Sequence, residues 1–271
     1  MVIREKITAG AVTFVRVMQN RKALRKQKRK KKENPSSESV IRNNRKNAIR
    51  DLSIKLNHNF SHGDYHVMLT YGGAEPTREF AKKSLDKFKR KLKGKKWICV
   101  TEYEHKRIHH HIVVSGVTIE EINKLWTHGY TKISVLDRSG DYRKLAEYLV
   151  KETDQTFRTP GAFSKRRYNC SRAIKNPPVY TEEVKRLELE MDPVVLKGTQ
   201  LDENSVYRGE NPFTGEIYLE YVLVAIDPQK KRRLKGKKKE YVRDSQYERW
   251  LREHDQMSIE FEKEMRRRWK I

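Results

Sequence analysis

The stretch WICVTEYEHKRIHHHIVVSG, Trp97 to Gly116, decides the fold. Its two halves, KWICVTEYE and RIHHHIVVSG, read as β-strands joined by a very short turn. The chain owns only nine histidines, and imidazoles are poor core fillers. His109, His110 and His111 therefore need a reason to sit where the strand should pack Val and Ile. With His105 and Lys106 as a two-residue hairpin loop, Glu104 pairs with Arg107 and Tyr103 with Ile108. Glu102 then lies opposite His109, and Val100 opposite His111. Side chains alternate between faces, so Glu102, Glu104, Arg107, His109 and His111 share one side, while His110, Ile112 and Val114 take the other. Opposed Cβ atoms are about 5 Å apart, which gathers two imidazoles and a carboxylate into an open, three-ligand site for a divalent ion such as Mn²⁺, Mg²⁺ or Zn²⁺. The competing reading is a row of partly exposed edge-strand histidines without an ion. A one-residue slip would move Glu102 to the other face, so everything depends on the register.

Working outward, DYHVMLTYG from Asp64 alternates like a strand and stops at Gly72-Gly73. PTREFAKKSLDKFKRKLKG predicts a helix with Thr77 as N-cap, an apolar stripe of Phe80, Leu85, Phe88 and Leu92, and a stop at Gly94. TIEEINKLWTHG predicts a second helix, with Thr118 and Glu121 spaced for a capping box. YTKISVLD is a further strand and DYRKLAEYLVKET a further helix. The order β-α-β-β-α-β-α predicts an α+β fold: a ferredoxin-like sandwich with a central antiparallel sheet carrying the histidines and helices on one face.

In the helix from Asp141, Tyr142, Leu145, Ala146 and Leu149 form the buried stripe. Tyr148 points roughly 120° away from its centre at 100° per residue and shares its side with Lys144, Lys151 and Asp141. Packing explains such a tyrosine poorly, although an ordinary surface tyrosine is the plain alternative. A hydroxyl presented to a phosphodiester, with a lysine to favour phenolate or steady the phosphate, explains it better.

The formal charge of +25 and pI near 9.9 favour a polyanionic partner. Nine of the twelve residues in RKALRKQKRKKK (21–32) are Lys or Arg, and KKRRLKGKKK (230–239) repeats the pattern. Both read as phosphate-binding arms or as solubilising tails. No apolar run approaches the roughly 18 residues of a spanning helix, no secretory signal is visible, and Cys99 and Cys170 read as free thiols. No G-x-x-x-x-G-K-[ST] occurs, so the chain has no P-loop motor. The expected organisation is a basic N-terminal extension (1–60), a central domain (61–180) and a C-terminal extension (181–271). In the last, GEIYLEYVLVAI reads as a strand and Tyr241 to Lys270 as a long charged helix.

The His-hydrophobic-His strand, here HHH with His110 in the middle, and the following helix with Tyr-x-x-Lys (YLVK) resemble the HUH endonucleases. VMLTY, WICVTEYEHKRIHHHIVVSG, WTHGYTKISVLD, YRKLAEYLVKET and YNCSRAIKNP together resemble rolling-circle replication initiators of the Firmicutes plasmid and mobile-element type, best over residues 60 to 180. The tyrosine follows the histidine motif, as in replication initiators, rather than preceding it as in conjugative relaxases.

The resemblance implies a single-tyrosine nickase of the bacterial cytoplasm, acting on single-stranded or hairpin origin DNA. His109, His111 and Glu102 would hold Mn²⁺ or Mg²⁺. Tyr148 would form a 5′-phosphotyrosine and free a 3′-hydroxyl, and Lys151 would assist. A host helicase and polymerase would be partners. Lys144, Arg166, Arg167 and Arg172 are candidate phosphate contacts, as is the helix KKSLDKFKRKLKGKK, while Tyr71, Tyr103 and Trp126 read as base-stackers or core. The rivals are a non-catalytic basic nucleic-acid-binding protein, a relaxase or transposase of the same superfamily, and a two-histidine, one-carboxylate oxygenase. The oxygenase leaves the charge and Tyr148 unexplained.

Overall fold

The computed structural model describes residues 1–20, 38–103, 107–153, 166–211 and 215–227. In chain order the elements are β1 (Val2–Ala9), β2 (Val12–Gln19), α1 (Glu38–Asn59), β3 (Tyr65–Leu69), α2 (Arg78–Lys91), β4 (Lys96–Glu102) and β5 (His109–Ser115). Then come α3 (Ile119–Leu125), β6 (Thr131–Val135), α4 (Arg143–Glu152), β7 (Asn169–Cys170), β8 (Tyr180–Val184), β9 (Thr199–Glu210) and β10 (Ile217–Ala225). Among the described residues no helix is long and apolar enough to cross a membrane. The basic blocks at 21–32 and 230–239, the expected helix from Tyr241, and the turn with Glu104, His105 and Lys106 lie outside the described residues.

The fold is α+β, and the histidines lie in an antiparallel sheet of order β6-β3-β5-β4-β7. The first four strands follow the β-α-β-β-α-β path read from the sequence: the β4–β5 hairpin is adjacent in sequence, and each crossover passes through a helix. Both expected caps are present. Thr77 Oγ1 accepts from Phe80 N, and Thr118 and Glu121 close a capping box.

One expectation is corrected. Helices cover both faces of this sheet, not one. On the first face α2 and α3 pack Ala81, Leu85, Phe88 and Ile122 against Val67, Leu69, Cys99, Ile112 and Val114. On the second, α1 and α4 pack Leu52, Leu56, Ala146, Leu149 and Val150 against Ile98, Val100 and Val113. The physical reason is legible in β5, which is buried at every position but its last. Strands buried on both faces read as unbroken apolar runs, as Ile112-Val113-Val114 does.

Residues 1–60 are also more than a basic extension. β1 and β2 join a second antiparallel sheet of order β8-β1-β2-β10-β9, to which the expected C-terminal strand contributes β10. Arg4 and Lys6 lie buried in β1 because Glu182 and Glu188 neutralise them. Helix α1 serves both sheets. Its Ile54 packs on Ile7, Ala9, Val12 and Phe14, while Leu52 and Leu56 face α4. The approach is close enough that a Cβ on Gly10, in the β1–β2 turn at φ +58°, would sit 2.4 Å from the Asn57 carbonyl oxygen. Asn57 Oδ1 accepts from Tyr142 N at 2.8 Å, so α1 also fixes where α4 begins.

Candidate metal centre

The observed hairpin register pairs Glu102 with His109 and Val100 with His111, as the two-residue loop requires. Glu102, His109 and His111 each offer a ligand atom, and those atoms all lie within 4.8 Å of one another. The three side chains are 5%, 9% and 2% exposed, so water screens little of the carboxylate's charge and a cation there would be held strongly.

The hydrogen bonds fix which nitrogens face inward. His109 Nδ1 lies 2.9 Å from the Arg107 carbonyl oxygen, which can only accept, so Nδ1 carries the proton. Nε2 is left as the donor atom for an ion and sits 2.9 Å from Glu102 Oε2. His111 directs Nε2 toward Tyr148 Oη at 3.4 Å, and Nδ1 toward His66 Nε2 at 3.2 Å. Two imidazole nitrogens and one carboxylate oxygen suit a divalent ion and leave positions open for an oxygen ligand.

Parity sends His110 the other way. It is fully buried, with Nδ1 2.9 Å from Thr101 Oγ1 and Nε2 2.9 Å from Tyr71 Oη. Burial, reinforced by neighbouring His109, pushes its pKa down to about 3, so it remains neutral. The middle histidine is thus a satisfied core residue, distinct in kind from its two neighbours.

Helix α4 presents Tyr148 at 41% exposure, its ring edge-on to His111 at 5.3 Å between centroids. Tyr142, which begins the helix as its N-cap, is 3% exposed and donates from its hydroxyl to the Asp137 carbonyl. Burial pushes that phenol up to about 12. Lys144 and Lys151 are exposed on α4, within a turn or so of Tyr148 on either side. Arg166 is exposed and Arg167 partly buried; both precede β7, which the chain enters from the end of β4 that carries Glu102. Arg172 is exposed at the opposite end, beyond the Ser171–Trp97 backbone bond.

Tyr71, Tyr103 and Trp126 are 6%, 9% and 3% exposed and belong to the core beneath α2 and α3. Those three are core residues, and the exposed aromatics on this sheet's helices and loops include Phe80 and Tyr130, at 47% and 79%.

Sequence reading overlooked two residues on the metal-bearing face. Met68 pairs with His111 on one side and Lys132 on the other, which places exposed Lys132 in the same row as His111. His66, two residues before Met68, shares that face and touches both His111 and Tyr148. The alternation of YHVML carried this signal, but only once β3 is known to neighbour β5.

No curated protein and no solved structure matches the chain significantly. A family model does match, that of the replication-associated proteins of the ORF2 type, over residues 64–153. The match begins one residue before β3 and ends one residue after α4, so it contains every strand and helix that builds the metal centre. By this match and by the histidine–glutamate cluster within it, the segment of the chain from 64 to 153 belongs to the ORF2-type family of replication-associated proteins.

Proposed function

We propose that the chain initiates rolling-circle DNA replication as a metal-dependent, single-tyrosine nickase of single-stranded origin DNA. The observation that supports this reading most is the position of Tyr148: a half-exposed phenol 3.4 Å from His111 Nε2, at the open side of the ligand cluster. His109, His111 and Glu102 would hold Mn²⁺ or Mg²⁺, which when bound polarises a phosphate oxygen and neutralises its charge. Tyr148 Oη attacks the phosphorus in line and gives its proton to water. The bond to the 3′-oxygen breaks, and that oxygen takes up a proton to become a 3′-hydroxyl. The tyrosine keeps the 5′-phosphate as an ester, so the bond energy is conserved and attack by a 3′-hydroxyl can rejoin the strand. Lys151, one turn along α4, favours the phenolate and steadies the phosphate.

The net charge of +25 supports a nucleic-acid partner. Lys144, Arg166, Arg167 and Arg172 are the proposed phosphate contacts, with Arg172 serving a part of the strand more distant from the metal. Without a P-loop, strand separation falls to a helicase of the bacterial cytoplasm, and a polymerase extends the 3′-hydroxyl.

The test is to incubate the full chain with single-stranded oligonucleotides tiling the DNA around its own coding sequence, with Mn²⁺, Mg²⁺ or EDTA. The expected result is a denaturant-resistant protein–DNA adduct that needs the metal, maps to Tyr148 and vanishes in Tyr148→Phe. Binding without an adduct under every metal would sink the nickase and favour a non-catalytic DNA-binding protein.

A further inference from the structure

We propose that His66 is a positioning residue for the metal centre: its Nε2 accepts the Nδ1 proton of His111 and so aims the His111 Nε2 lone pair at the ion. The inference rests on the metal-centre reading above and adds a residue and a role to it.

The geometry is that of a hydrogen bond lying along two ring planes. The nitrogens are 3.2 Å apart, the planes are inclined by only 19°, and the centroids stand 5.3 Å apart. Rings stacked face to face would bring their centroids far closer than their edges allow here, so the imidazoles meet edge to edge. The register explains why they meet. His66 pairs with Val113 in the β3–β5 ladder, which makes it a diagonal neighbour of His111 on the same face.

An N···N contact between imidazoles holds one proton, on one ring or the other. Were it on His66 Nε2, His111 Nδ1 would be the acceptor, and its own proton would sit on Nε2, where an ion must bind. Were it on His111 Nδ1, Nε2 would offer its lone pair to the ion, and His66 would keep its proton on Nδ1. Only the second arrangement is compatible with a metal. It also makes the two ligands alike, since the Arg107 carbonyl already holds the proton of His109 on Nδ1. A chain carbonyl serves one ligand and a histidine the other. In both cases the outer partner fixes the tautomer and the ring orientation, the usual means by which proteins raise the basicity of a metal-ligating imidazole.

The position of Tyr148 adds to the case. Its ring is edge-on to both His66 and His111, at centroid distances of 6.5 Å and 5.3 Å. Holding His111 therefore also holds the phenol at a fixed distance from the ligand cluster.

The test uses the full chain labelled with ¹⁵N-histidine. Long-range ¹H–¹⁵N spectra of the metal-free wild type are expected to show His111 protonated on Nδ1; the opposite tautomer would overturn the proposal without any variant. His66→Phe keeps a ring of similar size but removes the acceptor, and Mn²⁺ affinity by calorimetry is expected to fall about 10- to 100-fold. His66→Gln, which can still accept, is expected to recover most of that loss. Equal Mn²⁺ affinity in wild type and His66→Phe, with His111 still protonated on Nδ1, would also overturn it. None of these readouts uses DNA. A chain that shows this coupling yet forms no DNA adduct would lose the nickase reading and keep this one.

Discussion

Glu102 stands directly across the hairpin from His109, with Oε2 2.9 Å from Nε2. A buried carboxylate facing an imidazole nitrogen whose proton is on the far side is an arrangement that an ion would complete. Mn²⁺ binds the folded chain and not the unfolded one, so it should stabilise the fold by about 2.7 kcal/mol at a hundredfold excess over its dissociation constant. Thermal melts with and without Mn²⁺ should show this rise in the wild type and little of it in Glu102→Ala. Equal Mn²⁺-dependent rises in the two proteins would remove Glu102 from the ligand set.

The two tyrosines of the α4 region make opposite predictions. Tyr142→Phe removes a hydroxyl that donates to the Asp137 carbonyl in a buried setting, which should cost about 1 kcal/mol of stability and leave the DNA adduct intact. Tyr148→Phe should leave the melting temperature nearly unchanged, because the residue is 41% exposed, while abolishing the adduct. Denaturant titration and adduct gels on both variants separate the roles, and an adduct that survives in Tyr148→Phe would exclude it as the nucleophile.

The hairpin and the tyrosine were legible because each depends on one local period. A two-residue loop determines strand parity, and a turn of about 100° per residue swings Tyr148 away from the Leu149 side. His66 was not legible in the same way, since its role depends on β3 lying beside β5, and strand order is not a local property. The second sheet was hidden for a related reason. VIREKITA looks like a charged tail until Glu182 and Glu188, far along the chain, are brought against Arg4. The helices on both faces were half-legible, in the unbroken apolar end of β5.

His110 tests the claim that the three histidines differ in kind. Tyr71 donates to the Ala81 carbonyl, so His110 Nε2–H donates to Tyr71 and Nδ1 accepts from Thr101. His110→Leu fills much of the same space but strands two buried polar groups, at a cost of about 2–3 kcal/mol. Denaturant unfolding should show that loss, whereas His109→Leu should cost less stability and remove metal binding. A stable His110→Leu with impaired Mn²⁺ affinity would mean that the middle histidine serves the ion.

The two cysteines should react very differently. Cys99 is 1% exposed and burial pushes its thiol up to about 12, so almost no thiolate is present at neutral or mildly alkaline pH; Cys170 is exposed. Iodoacetamide at mildly alkaline pH should add one label to the native chain, at Cys170, and a second only after denaturation. Raising the pH further by about one unit should speed the first reaction without exposing the second thiol. Mass spectrometry of native protein carrying both labels would show that the α2–α3 core opens readily.

Gly129 carries the sharpest steric prediction. The segment around it runs against the end of β3, where Thr70 N donates to the Tyr130 carbonyl and Gly72 N to that of His128. A Cβ at 129 would lie 2.3 Å from the Thr70 oxygen, 2.6 Å from Gly72 N and 2.7 Å from Tyr71 Cα, all backbone atoms that no rotamer change can move. Gly129→Ala must therefore push the two segments apart, at a cost of about 1–3 kcal/mol or more. It should also loosen Tyr71, on which His110 depends. Gly73→Ala, at φ +65° with open space around it, is the matched control and should cost only the backbone strain of about 1–2 kcal/mol. Hydrogen exchange at Thr70 and Gly72 should rise in Gly129→Ala and not in Gly73→Ala. Unchanged exchange in Gly129→Ala would mean that the close approach of these segments does not hold the end of β3 in place.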